Sequence, residues 1–83
     1  MTTSSKKSAR SLRKTAVDLV AVGKRIRQIR GFELRQADLA KILGITQAQL
    51  SKFEVGQSAP TLEILLKLKA HSGKSLDWIL TGE

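Results

Sequence analysis

The sequence predicts an all-α domain, a compact bundle of five helices, and three observations predict it. Apolar residues recur every three to four positions, with neither strand-like alternation nor an Asn-Gly hairpin signal. Glycines and helix-capping hydroxyl residues separate the apolar segments at short intervals. Finally, 83 residues can enclose one small core and leave no room for a second.

The first predicted helix covers about residues 16–30 and can extend back to Ser11. Gly23 interrupts it at a cost of about 1 kcal/mol relative to Ala. A kink, or a separate short helix over 11–21, is therefore an open alternative. Its apolar stripe has the spacing i, i+3, i+7, i+10 and consists of Leu19, Val22, Ile26 and Ile29.

The second predicted helix covers residues 36–43. It stops at Gly44, since glycine best tolerates the left-handed backbone that ends a helix. One face is apolar and carries Leu39, Ala40 and Leu43.

The third predicted helix begins with a capping box. The hydroxyl of Thr46 can accept from the backbone amide of Gln49, and the Gln49 side chain can reach back to the Thr46 amide. This helix runs to about residue 54 and is expected to bury Leu50 and Phe53.

Two further helices complete the bundle. Residues 55–60 form a loop punctuated by Gly and Pro. Thr61 caps the fourth helix, which ends near Ser72, and Ser75 caps a short fifth helix over 76–80. The fourth helix carries Leu62, Leu65, Leu66 and Leu68.

The net charge of +8 lies entirely in the first third of the chain. Residues 1–30 contain nine Lys and Arg against one acid, whereas residues 31–83 are balanced. Residues 1–10 contain no large apolar side chain besides the initiator, so they cannot offset their ordering entropy by burial. We therefore expect a mobile basic arm over 1–15 and one domain over 16–83. The cations of the arm are Lys6, Lys7, Arg10, Arg13 and Lys14.

Composition excludes several functions. Without cysteine there is no disulfide, thiol nucleophile or cysteine-ligated metal, and one histidine, His71, builds no metal site. Neither a nucleophile–base pair nor a paired-carboxylate site can be assembled, so we predict no enzymatic activity and no cofactor. The longest apolar run, residues 19–22, is far shorter than a membrane span.

The turn between the second and third helices carries the functional signal. Two helices of about eight residues are joined by residues 44–46, too few for an antiparallel pair, which is the helix-turn-helix pattern. The pattern requires a small residue where the helices cross, a glycine in the turn and apolar residues beneath it. These positions are Ala40, Gly44, Ile45 and Leu50.

From about residue 22 to residue 82 the sequence resembles the lambdoid phage repressor/Cro family, the XRE-type helix-turn-helix regulators. The ending Leu-Asp-Trp-Ile-Leu-Thr-Gly is especially similar to phage repressor domains. The resemblance implies a five-helix repressor-like domain that binds operator DNA, usually as a symmetric dimer. The segments that carry it are 23–30, 36–40, 44–47, 50–56, 60–62 and 76–82.

The resemblance also assigns contacts. Gln36 would contact a phosphate and brace Gln47, the first residue of the recognition helix, and a glutamine can bond to both N6 and N7 of adenine. The implied base contacts are Gln47, Ala48, Gln49 and Lys52. The implied phosphate contacts are Gln36, Thr46, Gln57, Ser58 and Thr61.

Two further features concern structure and assembly. The resemblance implies a salt bridge between Arg30 and Glu54. The connection over 31–35 is one residue shorter than in many relatives, so helix 1 must end differently and the expectation of that pair is weaker. The last helix is expected to close the core and, as a second role, to form a dimer seam through Trp78, Ile79 and Leu80.

These features together predict a sequence-specific double-stranded DNA-binding transcriptional regulator. It would bind a palindromic operator as a homodimer, with residues 47–54 in the major groove, in the cytoplasm of a bacterium as a bacterial or phage-encoded protein. Repression is favoured over activation because occupying a promoter requires no further surface. The alternatives are the antitoxin of a toxin–antitoxin pair, a restriction–modification controller and, in another class, a protein–protein adaptor. The arm would contact DNA, bind a partner such as a toxin, or have no direct role.

Overall fold

The computed structural model describes residues 17–83, which form five α-helices and no strand. The all-α prediction is confirmed. The predicted basic arm and the proposed extension of helix 1 to Ser11 lie outside the described residues. The helices are α1 (Leu19–Arg30), α2 (Gln36–Leu43), α3 (Gln47–Glu54), α4 (Leu62–Ser72) and α5 (Leu76–Thr81).

Helix α1 begins later than predicted. The Asp18 carboxylate accepts hydrogen bonds from the backbone amides of Val20 and Ala21, at 3.1 and 3.2 Å, and so caps the helix at Leu19. The expected start at residue 16 is wrong, since 17 and 18 are not helical. The helix continues through Gly23 to Arg30, so the alternative of a separate short helix that ends at residue 21 is also wrong.

The other helix ends follow local chemistry, as predicted. Gly44 adopts a left-handed conformation, φ 72° and ψ 30°, directly after α2. The hydroxyls of Thr46, Thr61 and Ser75 each accept a backbone hydrogen bond three residues later, at 3.0–3.2 Å. These caps satisfy amides that the first turn of a helix leaves without a partner.

Helix α2 has a charged start that the sequence did not suggest. The backbone amide of Arg35 donates to the Asp38 carboxylate at 3.1 Å. This hydrogen bond, helped by the Arg35 guanidinium, holds the pKa of Asp38 below its ordinary value of 3.8.

One hydrophobic core joins all five helices. On α4, Leu65 and Leu68 are buried as expected of core positions, but Leu62 and Leu66 are 81% and 56% exposed, and Ile64 occupies the core instead. The α4 leucines therefore divide between the core and an exposed face. The core residues are Val22, Ile26, Leu39, Ala40, Leu43, Leu50, Phe53, Ile64, Leu65, Leu68 and Ile79.

Candidate nucleic-acid interface

The α2–turn–α3 unit has the packing that the pattern requires. Ala40 is buried where α2 and α3 meet, and its carbonyl accepts from the backbone amide of Ile45 at 3.0 Å. Leu50 is fully buried beneath the turn, and Ile45 packs partly buried against the same core. These contacts fix the direction of α3 relative to α2.

Gly23 allows α1 to approach α3 closely, a role that sequence reasoning missed. A Cβ at Gly23 would lie 2.6 Å from the carbonyl oxygen of Phe53 and closer still to that of Glu54. Both atoms belong to the backbone at the end of α3, so no side chain can move to make room. A glycine among the apolar positions of a helix is the signal in the sequence that could have identified this crossing.

Glu54, the last residue of α3, is a buried carboxylate with three hydrogen bonds. Arg30 binds both of its oxygens, through Nε at 2.9 Å and Nη2 at 3.0 Å. The amide nitrogen of Gln36 donates to Oε1 at 3.0 Å. The pair of Arg30 and Glu54 that the resemblance implied therefore forms despite the short connection, and Arg30 also donates to the carbonyl of Leu34 in that connection at 3.2 Å.

The network reaches the exposed surface at Gln47. Its amide nitrogen lies 3.5 Å from the Oε1 of Gln36, the longest contact of the series. Gln47 is exposed at the start of α3. The structure thus joins Arg30, Glu54, Gln36 and Gln47 from the core to the surface.

The other three residues predicted to contact bases are also exposed along α3: Ala48, Gln49 and Lys52. Gln49 is partly committed elsewhere, because its Oε1 accepts from the Thr46 amide at 2.9 Å as the second half of the capping box. Its side-chain NH2 group remains available as a donor.

The residues predicted to contact phosphate lie around α2 and α3. Gln36 starts α2, and Thr46 caps α3. Gln57 is exposed and Ser58 partly buried in the loop after α3, while Thr61 caps α4. The Thr46 and Thr61 hydroxyls accept their capping bonds and retain a hydrogen to donate.

Arg27 on α1 lies near this network, although it was assigned no contact with DNA from the sequence and was counted only in the positive charge of residues 1–30. Its side chain is 65% exposed, and its Nε lies 4.0 Å from Glu54 Oε1. The side chain of Arg30, one turn further along α1, is only 19% exposed. Of these two arginines, Arg27 therefore presents the accessible cation near Glu54. Their i, i+3 spacing was the signal in the sequence that places both arginines on the same side of α1.

Helix α5 packs mainly against the hydrophobic core. Ile79 is completely buried, as a residue that closes the core must be, and Leu80 packs partly buried against the same core, while the dimer seam expected on this helix stays a prediction. Trp78 is half-buried, and the ammonium of Lys74 lies 5.0 Å from its ring centroid. The guanidinium of Arg25 ties α5 to α1 by donating to the carbonyl of Ile79 at 3.1 Å.

Residues 17–83 contain neither a membrane-spanning helix nor a cluster of metal ligands. No helix in this range is long and apolar enough to cross a membrane. No three His, Cys, Asp or Glu side chains of the same range come together as metal ligands would.

Known proteins share this arrangement. A family model described as Helix-turn-helix matches residues 24–79. The chain is 37% identical over 59 residues to the SPbeta prophage-derived uncharacterized HTH-type transcriptional regulator YonR of Bacillus subtilis (strain 168), covering 71% of this chain and 53% of that protein. The chain thus spans about half the length of this relative.

Two solved structures are also similar. The P22 c2 repressor protein, crystallised with a synthetic operator, has a TM-score of 0.69 and 35% identity, covering 75% of this chain and 96% of that one. The restriction-modification controller protein C.AhdI from Aeromonas hydrophila has a TM-score of 0.66 and 30% identity, covering 76% and 97%. The chain therefore belongs to the XRE-type helix-turn-helix family of DNA-binding transcriptional regulators.

Proposed function

We propose that this chain represses transcription by binding a palindromic operator as a homodimer, with α3 in the major groove. The observation that carries the proposal is the placement of the Gln47 side chain. It is exposed at the start of α3, and its amide is braced by Gln36, which a buried carboxylate holds. A polar group that is held in place yet exposed is suited to reading a base edge.

The remaining contacts divide into two sets. Ala48, Gln49 and Lys52 lie beside Gln47 on α3 and would meet base edges or, for Lys52, a phosphate. Phosphate contacts position the protein without reading sequence, and this role falls to Gln36, Thr46, Gln57, Ser58, Thr61 and the accessible Arg27. The arm at 1–15 would add contacts that depend on salt rather than on sequence.

The dimer seam is proposed on α4. Leu62 and Leu66 are exposed one helical turn apart, so they form a continuous apolar patch. The apolar residues of α5, by contrast, pack on the core. The double substitution Leu62→Glu/Leu66→Glu should convert a dimer to a monomer in sedimentation velocity. Phe32→Glu, at a fully exposed apolar residue in the α1–α2 connection, should leave the dimer intact.

Selection of bound duplexes from a random pool tests the function. The expected product is an inverted repeat whose half-sites are about 34 Å apart, one helical turn. Enrichment of a single asymmetric site would refute the homodimer. Failure to enrich any sequence would refute the function and revive a protein–protein adaptor.

A restriction–modification controller is a second candidate, favoured by the similarity to C.AhdI over nearly all of that chain. Placing the selected site upstream of a reporter gene separates the two. Repression alone at every position and protein concentration supports the first proposal. Activation from an upstream site supports the controller.

A further inference from the structure

The carboxylate of Glu54 dictates the orientation of the Gln36 amide. The Glu54 side chain is 2% exposed, and a carboxylate offers hydrogen-bond acceptors only. Gln36 can therefore bond to it only through its NH2 group, as it does at 3.0 Å. The reverse orientation would place two oxygens against each other in a site that excludes water. Because the Glu54 carboxylate can only accept, the Gln36 oxygen must point away from it.

The orientation of the Gln36 amide also determines which group of Gln47 can bond to it. The outward oxygen of Gln36 is an acceptor, so Gln47 meets it with an N–H, at 3.5 Å. One of the two N–H groups of Gln47 is then occupied. Its other N–H and its Oε1 make no hydrogen bond within residues 17–83, and Gln47 is exposed at the start of α3.

A donor beside an acceptor is complementary to adenine. In the major groove adenine presents the acceptor N7 and the donor N6, whereas guanine presents two acceptors, N7 and O6. Guanine would thus bring O6 against the Gln47 oxygen. If Gln36 were reversed, the Gln47 oxygen would accept from it through one lone pair, and both N–H groups of Gln47 would be free to meet the two acceptors of guanine.

We propose that Glu54 is a positioning residue which, through Gln36, sets Gln47 to read adenine in preference to guanine. The proposal rests on the proposed function, in which α3 enters the major groove. Glu54 itself reaches no base, because it is buried at the opposite end of α3 from Gln47. A buried carboxylate that does not touch DNA would accordingly control the base preference.

The test measures affinities for duplexes that carry adenine or guanine at one position of the selected half-site. That position is the one whose preference disappears in Gln47→Ala. Glu54→Gln keeps the shape of the side chain but can donate as well as accept, so it admits both orientations of Gln36. We expect its adenine-to-guanine affinity ratio to fall at least fivefold at this position, with the ratios at other positions unchanged. A folded Glu54→Gln that keeps the ratio within twofold overturns the proposal.

Two further variants separate base preference from folding. Gln36→Met breaks the relay but leaves the pair of Arg30 and Glu54 intact, so it decides the question if Glu54→Gln fails to fold by circular dichroism. It should show the same loss of ratio, and a preserved ratio overturns the relay. Ile64→Val lowers stability in the core and should preserve the ratio, whereas an equal loss there contradicts the proposal.

The outcomes also distinguish the relay from the function on which it rests. If the wild-type chain enriches no sequence, the function and the relay fail together. If it enriches an inverted repeat whose Gln47-dependent position is not adenine, the relay alone fails.

Discussion

Replacing Gly23 with Ala has two opposing effects on stability: a gain in helix propensity and a loss from overpacking. In the interior of a helix Ala is more favourable than Gly by about 1 kcal/mol, so local sequence alone predicts a more stable α1. The added Cβ, however, would lie 2.6 Å from the Phe53 carbonyl oxygen and closer still to that of Glu54. Two such backbone contacts place the cost near the upper end of the ~1–3 kcal/mol typical of overpacked cores. A net loss of about 2 kcal/mol remains.

Urea unfolding followed by circular dichroism measures this loss. We expect a lower midpoint with an unchanged slope, and a melting temperature lower by about 10 °C. Lys24→Gly, at the exposed neighbouring position of α1, isolates the propensity effect and should cost about 1 kcal/mol. A neutral or stabilising Gly23→Ala would refute the close packing of α1 on α3.

Three other outcomes follow from the same structure. Glu54→Ala leaves Arg30 without its partner and should lower the unfolding free energy by about 2–4 kcal/mol in calorimetry, whereas a loss under about 0.5 kcal/mol would contradict the network. The folded-state pKa of Asp38 is lowered, so its carboxylate stabilises the fold above the ordinary value of 3.8 and loses this contribution as the pH falls through the folded-state pKa. The melting temperatures of the wild type and Asp38→Asn should therefore converge in acid, and a constant difference would argue against the Arg35 hydrogen bond as its cause. Deleting residues 1–14 should flatten the dependence of log affinity on log salt by about 0.9 for each phosphate that the arm neutralises, and an unchanged slope would show that the arm touches no phosphate.

Features set by neighbouring residues could be predicted from the sequence. Thr46, Thr61 and Ser75 cap helices because each hydroxyl needs only an amide three residues away. Gly44 ends α2 because few other residues tolerate its backbone conformation. These local rules place four of the five helices. They missed the start of α1, where Asp18 was not considered as a cap.

Features that depend on distant residues could not be predicted in the same way. Gly23 looks like a weak point in α1 until the carbonyl groups of α3 are placed against it. The bond from the Arg25 guanidinium to the Ile79 carbonyl joins residues 54 positions apart, and it forms only because α5 packs against α1. Glu54 was assigned a single partner, and its bond to Gln36 forms only because α2 and α3 pack together.

Base reading by Gln47 is tested most directly by the affinity of Gln47→Ala for its selected site and for random duplex DNA, measured by gel mobility shift. We expect a loss of about 1–3 kcal/mol on the selected site, a relaxed preference at one base position and little change on random DNA. Equal losses on both DNAs would contradict base reading, because Gln47 would then contribute to affinity without distinguishing one sequence from another.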